Sequence, residues 1–137
     1  ADSGVHGSTR EAVGGLRRRY ENDPYNIGPR INRLEALTQS AITALDQADA
    51  PALGAAMDEA HTVLSELRLS LPILDDLANA ARNAGALGAK LTGGGLGGCV
   101  IALVAGEPTT RRVRAALERA GAPQTWSYRM RVSEVDE

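Results

Sequence analysis

An α+β fold is predicted for this chain: a small antiparallel sheet packed with several helices. Three observations predict it. The chain up to about residue 84 repeats apolar residues at helical spacing, stretch after stretch. From about residue 88 to 132 the pattern changes to short strand-length runs set around a glycine-rich hairpin. The resulting order is helices, strand, hairpin, strand, helix, strand. One leading strand would complete the split β-α-β-β-α-β arrangement called ferredoxin-like, with its first α position expanded into several helices. Ala1-Asp2 sits where that leading strand would end.

Composition bounds the partners. Of 137 residues, 43% are hydrophobic and 23% charged, enough for one core and too few charges for a disordered polyelectrolyte. Aromatics are only 3%, with no Phe, so the core must be aliphatic. A net charge of −2 argues against nucleic acid or an anionic membrane surface as partner. Arg17-Arg18-Arg19 reads as a solvated helix face, with no aromatic platform nearby to stack bases. The single Cys99 excludes an internal disulfide and suits a cytoplasmic location. No apolar run reaches the roughly 20 residues that span a bilayer. Neither a signal peptide nor an initiator Met opens the chain, so a fragment of a longer protein is expected.

The elements follow in order. Ser8 and Glu11 have capping-box spacing, so a helix is expected from Thr9 to about Tyr20 with Ala12, Val13, Leu16 and Tyr20 inward. Gly14-Gly15 inside it implies a closely packed backbone or a weak helix. Glu21-Asn22-Asp23-Pro24 breaks the chain. A second helix, from about Gly28 to Asp46, places Ile31, Leu34, Thr38, Ala41 and Leu45 on one stripe. Pro51 begins a third, which buries Leu53, Met57, Ala60, Leu64 and Leu67. Ser70 is the expected N-cap of a fourth, with Leu74, Leu77, Ala78 and Ala81 inward and Gly85 at its end. Ala89 to Thr92 reads as a strand. Cys99 to Val104 is continuously apolar and reads as a strand buried on both faces. Thr109 or Thr110 starts the last helix, ending at Gly121. Trp126, Tyr128, Met130 and Val132 alternate with polar residues and predict a half-exposed strand.

The sharpest feature is Thr92-Gly93-Gly94-Gly95-Leu96-Gly97-Gly98. Glycines allow successive backbone N–H groups to converge on an anion such as phosphate. A plain flexible hairpin is the other reading, and the residues alone leave both open. Gly93, Gly95 and Gly98 match G-x-G-x-x-G, but that fingerprint needs a helix next, and a strand follows. No Lys-Ser or Lys-Thr follows Gly98, so a Walker loop is excluded. Leu96 is expected to avoid φ > 0, because its Cβ disfavours that region.

Gly88-Ala89-Lys90-Leu91-Thr92-Gly93-Gly94-Gly95-Leu96-Gly97-Gly98-Cys99 resembles the third conserved motif of GHMP kinases. The opening Asp2-Ser3-Gly4-Val5-His6-Gly7-Ser8-Thr9-Arg10-Glu11-Ala12-Val13 is similar to a segment of bacterial mevalonate kinases. Leu69-Ser70-Leu71-Pro72-Ile73-Leu74-Asp75 resembles a stretch preceding the glycine motif in the same enzymes. The resemblance implies the C-terminal domain of an ATP-dependent small-molecule kinase of isoprenoid biosynthesis, with mevalonate as substrate. It implies an active site in the cleft against an N-terminal ATP-binding domain, and ATP with Mg²⁺ in the full-length enzyme. Thr92, Gly93, Gly94, Gly95, Gly97 and Gly98 would then lie beside the ATP phosphates, and Thr9 would line the mevalonate side.

Departures from the family pattern are Gly94 for Ala, Leu96 for Gly, and Arg68 and Leu71 for a small and a polar residue. The family's P-x-x-x-G-L-G-S-S-A motif, its N-terminal lysine and its catalytic aspartate are absent from this sequence. No catalytic residue is therefore assigned within it, no cofactor is expected bound to it alone, and the chain alone is expected to be inactive. Phosphomevalonate, homoserine and galactose kinases are the alternatives within the family. A non-catalytic ferredoxin-like binding or regulatory domain is the alternative outside it. A sheet edge lacking its leading strand would favour a homodimer.

The remaining polar residues have plain readings. His6 is expected on an exposed loop. His61 is expected at the surface or boundary of its helix, with no second His or carboxylate at i+4 to make a metal pair. Cys99 reads as a core thiol. Asp75-Asp76 reads as first-turn charge that favours the helix dipole.

Overall fold

Five helices and one hairpin make up the computed structural model, which describes residues 1–130. Helix α1 spans Thr9–Asn22, and the Ser8 hydroxyl caps it by accepting from the Glu11 N–H at 3.3 Å. A Cβ on Gly15 would stand 3.3 Å from Nη1 of Arg19, so the glycine pair makes room for this helix's own arginines. Arg19 in turn donates to the Leu67 carbonyl at 2.6 Å, which takes it out of the solvated run. Helix α2 covers Pro24–Asp46, α3 covers Ala50–Glu66 and α4 covers Pro72–Asn83. All three open with a proline in the first turn, where its missing N–H leaves no bond unmade. Strands β1 (Gly88–Thr92) and β2 (Cys99–Leu103) form the hairpin, and α5 (Glu107–Arg119) follows.

The strands pair antiparallel, from Gly88 opposite Leu103 to Thr92 opposite Cys99. Ala1 and Val100 exchange backbone bonds of 2.8 and 2.9 Å, and the Ser3 N–H donates to the Gly98 carbonyl at 2.9 Å. Residues 1–3 thus lie along the free side of β2, where the leading strand was expected. The Asp2 N–H reaches the Gln124 carbonyl at 2.9 Å, so the order across the sheet is Gln124, residues 1–3, β2, β1.

The outer edge of β1 is closed by α3 rather than by another strand. Gly54 and Gly88 meet backbone to backbone, and neither could carry a Cβ. Asp58 Oδ1 then accepts from the Ala89 N–H at 2.9 Å, and His61 Nδ1 accepts from the Leu91 N–H at 3.0 Å. Those are the outward-facing donors of an edge strand, and side chains one helical turn apart satisfy both. Leu74, Leu77, Ala81, Leu91, Val100, Val113 and Leu117 form a core between the sheet and α4 and α5. Ala12, Leu37, Val63, Leu67 and Leu69 form a second core under α1, α2 and α3. Each fully buried leucine contributes about 2 kcal/mol through removal of apolar surface from water.

Several expectations are corrected. Helix α2 begins at Pro24 rather than Gly28, because Pro24 starts the second helix as well as ending the first. Its buried residues are Leu37 and Ala44, with Ile31, Thr38 and Leu45 exposed, so the inward stripe is rotated from the one predicted. Val13 and Tyr20 of α1 are likewise exposed. Ser70 is not the N-cap of α4; Leu71 holds that position, and the Ser70 hydroxyl donates to Asp75 Oδ1 at 2.7 Å. Helix α5 begins at Glu107, ahead of Thr109. Strand β2 is covered on one face only, with Ile101 45% exposed on the other.

Trp126, Tyr128 and Met130 form no strand and stand 60%, 90% and 62% exposed. Among the described residues, Trp126, Tyr128 and Met130 make no backbone hydrogen bond to a strand. Val132, the last residue of that predicted strand, lies outside the described residues. Among the described residues, no helix is long and apolar enough to cross a membrane.

Candidate functional site

The loop between β1 and β2 is not a free hairpin tip. It is held down on both sides by backbone. The Leu96 N–H donates to the Leu69 carbonyl at 2.8 Å, and the Gly98 N–H donates to the Val5 carbonyl at 2.8 Å. A Cβ on Gly97 would stand 2.5 Å from the Gly7 nitrogen and 2.6 Å from the Val5 oxygen, so only glycine lets the opening segment approach this closely. Leu96 takes φ +58, contrary to the expectation for a residue with a Cβ. Its side chain packs against the core beneath α1, α2 and α3, and its N–H is engaged, so the fold holds a conformation that costs about 1–2 kcal/mol.

Seating the loop in this way leaves a concavity of about 260 Å³ between it and the start of α1. Its lining is His6, Gly7, Thr9, Thr92, Gly93, Gly94, Gly95, Gly97 and Gly98. All six loop residues singled out from the sequence are therefore brought together with Thr9. Among the described residues, the N–H groups of Gly93, Gly94, Gly95 and Gly97 have no hydrogen-bond partner, although Gly95 and Gly97 are buried. Free backbone amides in a glycine loop are donors that an anion's oxygens could accept from. Helix α1 also opens on the concavity at Thr9, and the positive end of its dipole adds to the same potential. Among the described residues, His6 is the one titratable side chain in the lining, and it is exposed as expected.

Sequence reasoning missed His61. It is 5% exposed, not a surface residue. Nδ1 accepts from Leu91, so Nε2 carries the ring proton and donates to Asp75 Oδ1 at 2.8 Å. The same carboxylate oxygen accepts from Ser70 at 2.7 Å and Ser65 at 3.3 Å. Burial works against the Asp75 charge, but the Ser70 and His61 hydrogen bonds and the Ser65 hydroxyl outweigh it and hold its carboxyl below the ordinary value. Lys90, on the face of β1 away from α4, has its ammonium pKa lowered by burial. Cys99 is half-buried at the start of β2.

The hairpin is thus seated on a helical layer, with its glycine loop facing the start of α1. The chain belongs to the GHMP kinases: the family model described as "GHMP kinases C terminal" matches residues 41–123. Among curated relatives, the mevalonate kinase of Pyrococcus abyssi is 42% identical over 124 residues, covering 87% of this chain and 36% of that protein. The galactokinase of Streptomyces coelicolor is 41% identical over 96 residues, covering 67% of this chain and 23% of that protein. The crystal structure of L. major mevalonate kinase in complex with R-mevalonate superposes with a TM-score of 0.84 at 27% identity, over 89% of this chain and 37% of that one. The chain thus spans between 23% and 37% of the length of these relatives.

Proposed function

We propose that the protein containing this chain transfers the γ-phosphoryl group of ATP to the hydroxyl of mevalonate, with this chain as one wall of the cleft. The observation that carries this reading is the shared concavity: the unpaired amides of Gly93, Gly94, Gly95 and Gly97 on one side and Thr9 on the other. Amides and the Thr92 hydroxyl suit the charged tail of a nucleotide, and Thr9 suits a small polar alcohol. The relatives named mevalonate kinase favour mevalonate as that alcohol, and the match to a galactokinase supplies the competing one.

Among the described residues the lining suits a phosphate tail but offers no carboxylate. On this reading Mg²⁺ and the base that accepts the hydroxyl proton are held by groups outside this chain. Phosphoryl transfer depends mainly on positioning and charge stabilisation around the phosphate and metal, so the chain by itself is expected to be inactive.

The test is ADP release by the full-length protein with ATP and Mg²⁺, offered mevalonate, phosphomevalonate, homoserine and galactose in turn. Turnover should be greatest with mevalonate and nil for this chain alone. Preference for another alcohol would overturn the substrate assignment. Turnover by this chain alone would overturn the division of labour.

A further inference from the structure

The glycine loop is tethered at two points that look independent in sequence and are joined in space. On the strand side, Leu91 precedes Thr92 and the loop, and its N–H is held by Nδ1 of the buried His61 at 3.0 Å. On the turn side, Leu96 near the loop's apex donates to the carbonyl of Leu69 at 2.8 Å, and Leu69 immediately precedes Ser70. His61 Nε2 and the Ser70 hydroxyl both donate to one oxygen of Asp75, at 2.8 and 2.7 Å. A single carboxylate oxygen on α4 therefore ties together the helix that holds the loop's entry and the turn that holds its apex. None of these three side chains lines the concavity.

We propose that His61 and Asp75 are positioning residues, a brace that fixes the separation between the entry and apex of the glycine loop and so the spacing of its anion-facing amides. This rests on the reading that the loop faces a nucleotide. The brace acts through Leu91 and Leu69 and does not touch substrate.

The two ring nitrogens can be tested separately in the full-length protein. In His61→Asn the amide oxygen reaches where Nδ1 was, which keeps the Leu91 bond and loses Asp75. In His61→Gln the amide nitrogen reaches where Nε2 was, which keeps Asp75 and loses Leu91. Ser70→Ala cuts the apex side at a half-buried site with little risk to folding.

We expect His61→Gln and Ser70→Ala each to raise KM for ATP about five- to tenfold, the worth of one hydrogen bond. The KM for the alcohol and the saturating kcat should stay within about twofold, the precision of that same single-bond estimate. Amide exchange without nucleotide should quicken at Leu96 and Gly98 in both variants, while amides in α5 keep wild-type rates. Equal quickening throughout the domain, or unchanged exchange at Leu96, would overturn the proposal. So would a loosened loop with an unchanged KM for ATP. A loosened loop in a protein that never turns over ATP would uphold the brace and overturn the nucleotide reading instead.

Discussion

Thr9 lies directly against Gly94: a Cβ built on Gly94 would stand 3.0 Å from the Thr9 hydroxyl oxygen and 3.2 Å from the Thr9 Cα. The two residues are far apart in sequence and come from the start of α1 and the middle of the glycine loop. Both line the concavity. Their contact is adjustable, since a few tenths of an ångström of movement at Thr9 would admit a methyl group. Gly94→Ala should therefore fold with near-wild-type stability and raise KM for mevalonate severalfold, with little change in KM for ATP. Thr9→Ala, which deletes the hydroxyl, should raise the same constant about tenfold, the worth of one hydrogen bond. Steady-state kinetics on the full-length protein decides both.

The glycines of the loop are not equivalent. Gly93 has φ +83 with nothing within 4 Å of a would-be Cβ, so Gly93→Ala should cost only the backbone strain, about 1 kcal/mol. At Gly97 the would-be Cβ meets backbone that cannot turn aside, and Gly97→Ala should cost about 3 kcal/mol or more. Urea titrations of the two variants should show this order; equal losses would mean that the opening segment is not packed where it is described.

Leu96 combines strain with anchorage. Leu96→Gly relieves the φ +58 strain and loses the partly buried side chain, while Leu96→Ala loses most of the side chain and keeps the strain. The alanine variant should accordingly be the less stable by about 1 kcal/mol. The reverse order in thermal melts would show that Leu96 is unstrained in solution.

Asp58 serves the edge of β1 twice, accepting from the Ala89 N–H and from Arg82 Nε at 2.6 Å, while Arg82 also donates to the Ala89 carbonyl at 2.7 Å. Asp58→Ala strands a backbone donor and a guanidinium together and should cost about 2 kcal/mol. Arg82→Lys should lose less in a chemical melt, because Asp58 still satisfies Ala89.

Asp75 gives the fold a pH dependence of known sign. Its carboxyl is held below the ordinary value in the folded state, so it contributes stability above the unfolded value of about 4. That contribution is lost as pH falls through the lower folded value. Wild-type stability should drop more steeply than that of Asp75→Asn as pH falls below about 4. Parallel profiles would remove Asp75 from the acid response.

The sequence showed what depends on local chemistry. Ser8, Pro51, Pro72 and the apolar spacing of α4 mark helices because capping and ring geometry act within a turn. The glycine run marks the loop by composition alone. What stayed hidden depends on partners distant in the chain. His61 reads as a surface residue until α4 supplies Asp75 and β1 supplies Leu91. Ser70 reads as a cap because capping and side-chain networks use the same hydroxyl. Leu96 reads as barred from φ > 0 because the packing that compensates comes from the helical layer. The alternation at 126–130 marks a strand pattern but cannot supply a neighbour to pair with. Ile101 belongs to an apolar run whose period does not reveal that one face of the sheet is open.

The central claim is that the amides of the glycine loop face the phosphates of a bound nucleotide across from Thr9. Hydrogen exchange of the full-length protein, with and without saturating ADP and Mg²⁺, tests it most directly. Slowed exchange at Gly93, Gly94, Gly95 and Gly97, with α5 unchanged, is the result predicted here. Nucleotide bound with those four amides exchanging at their free rates would contradict it.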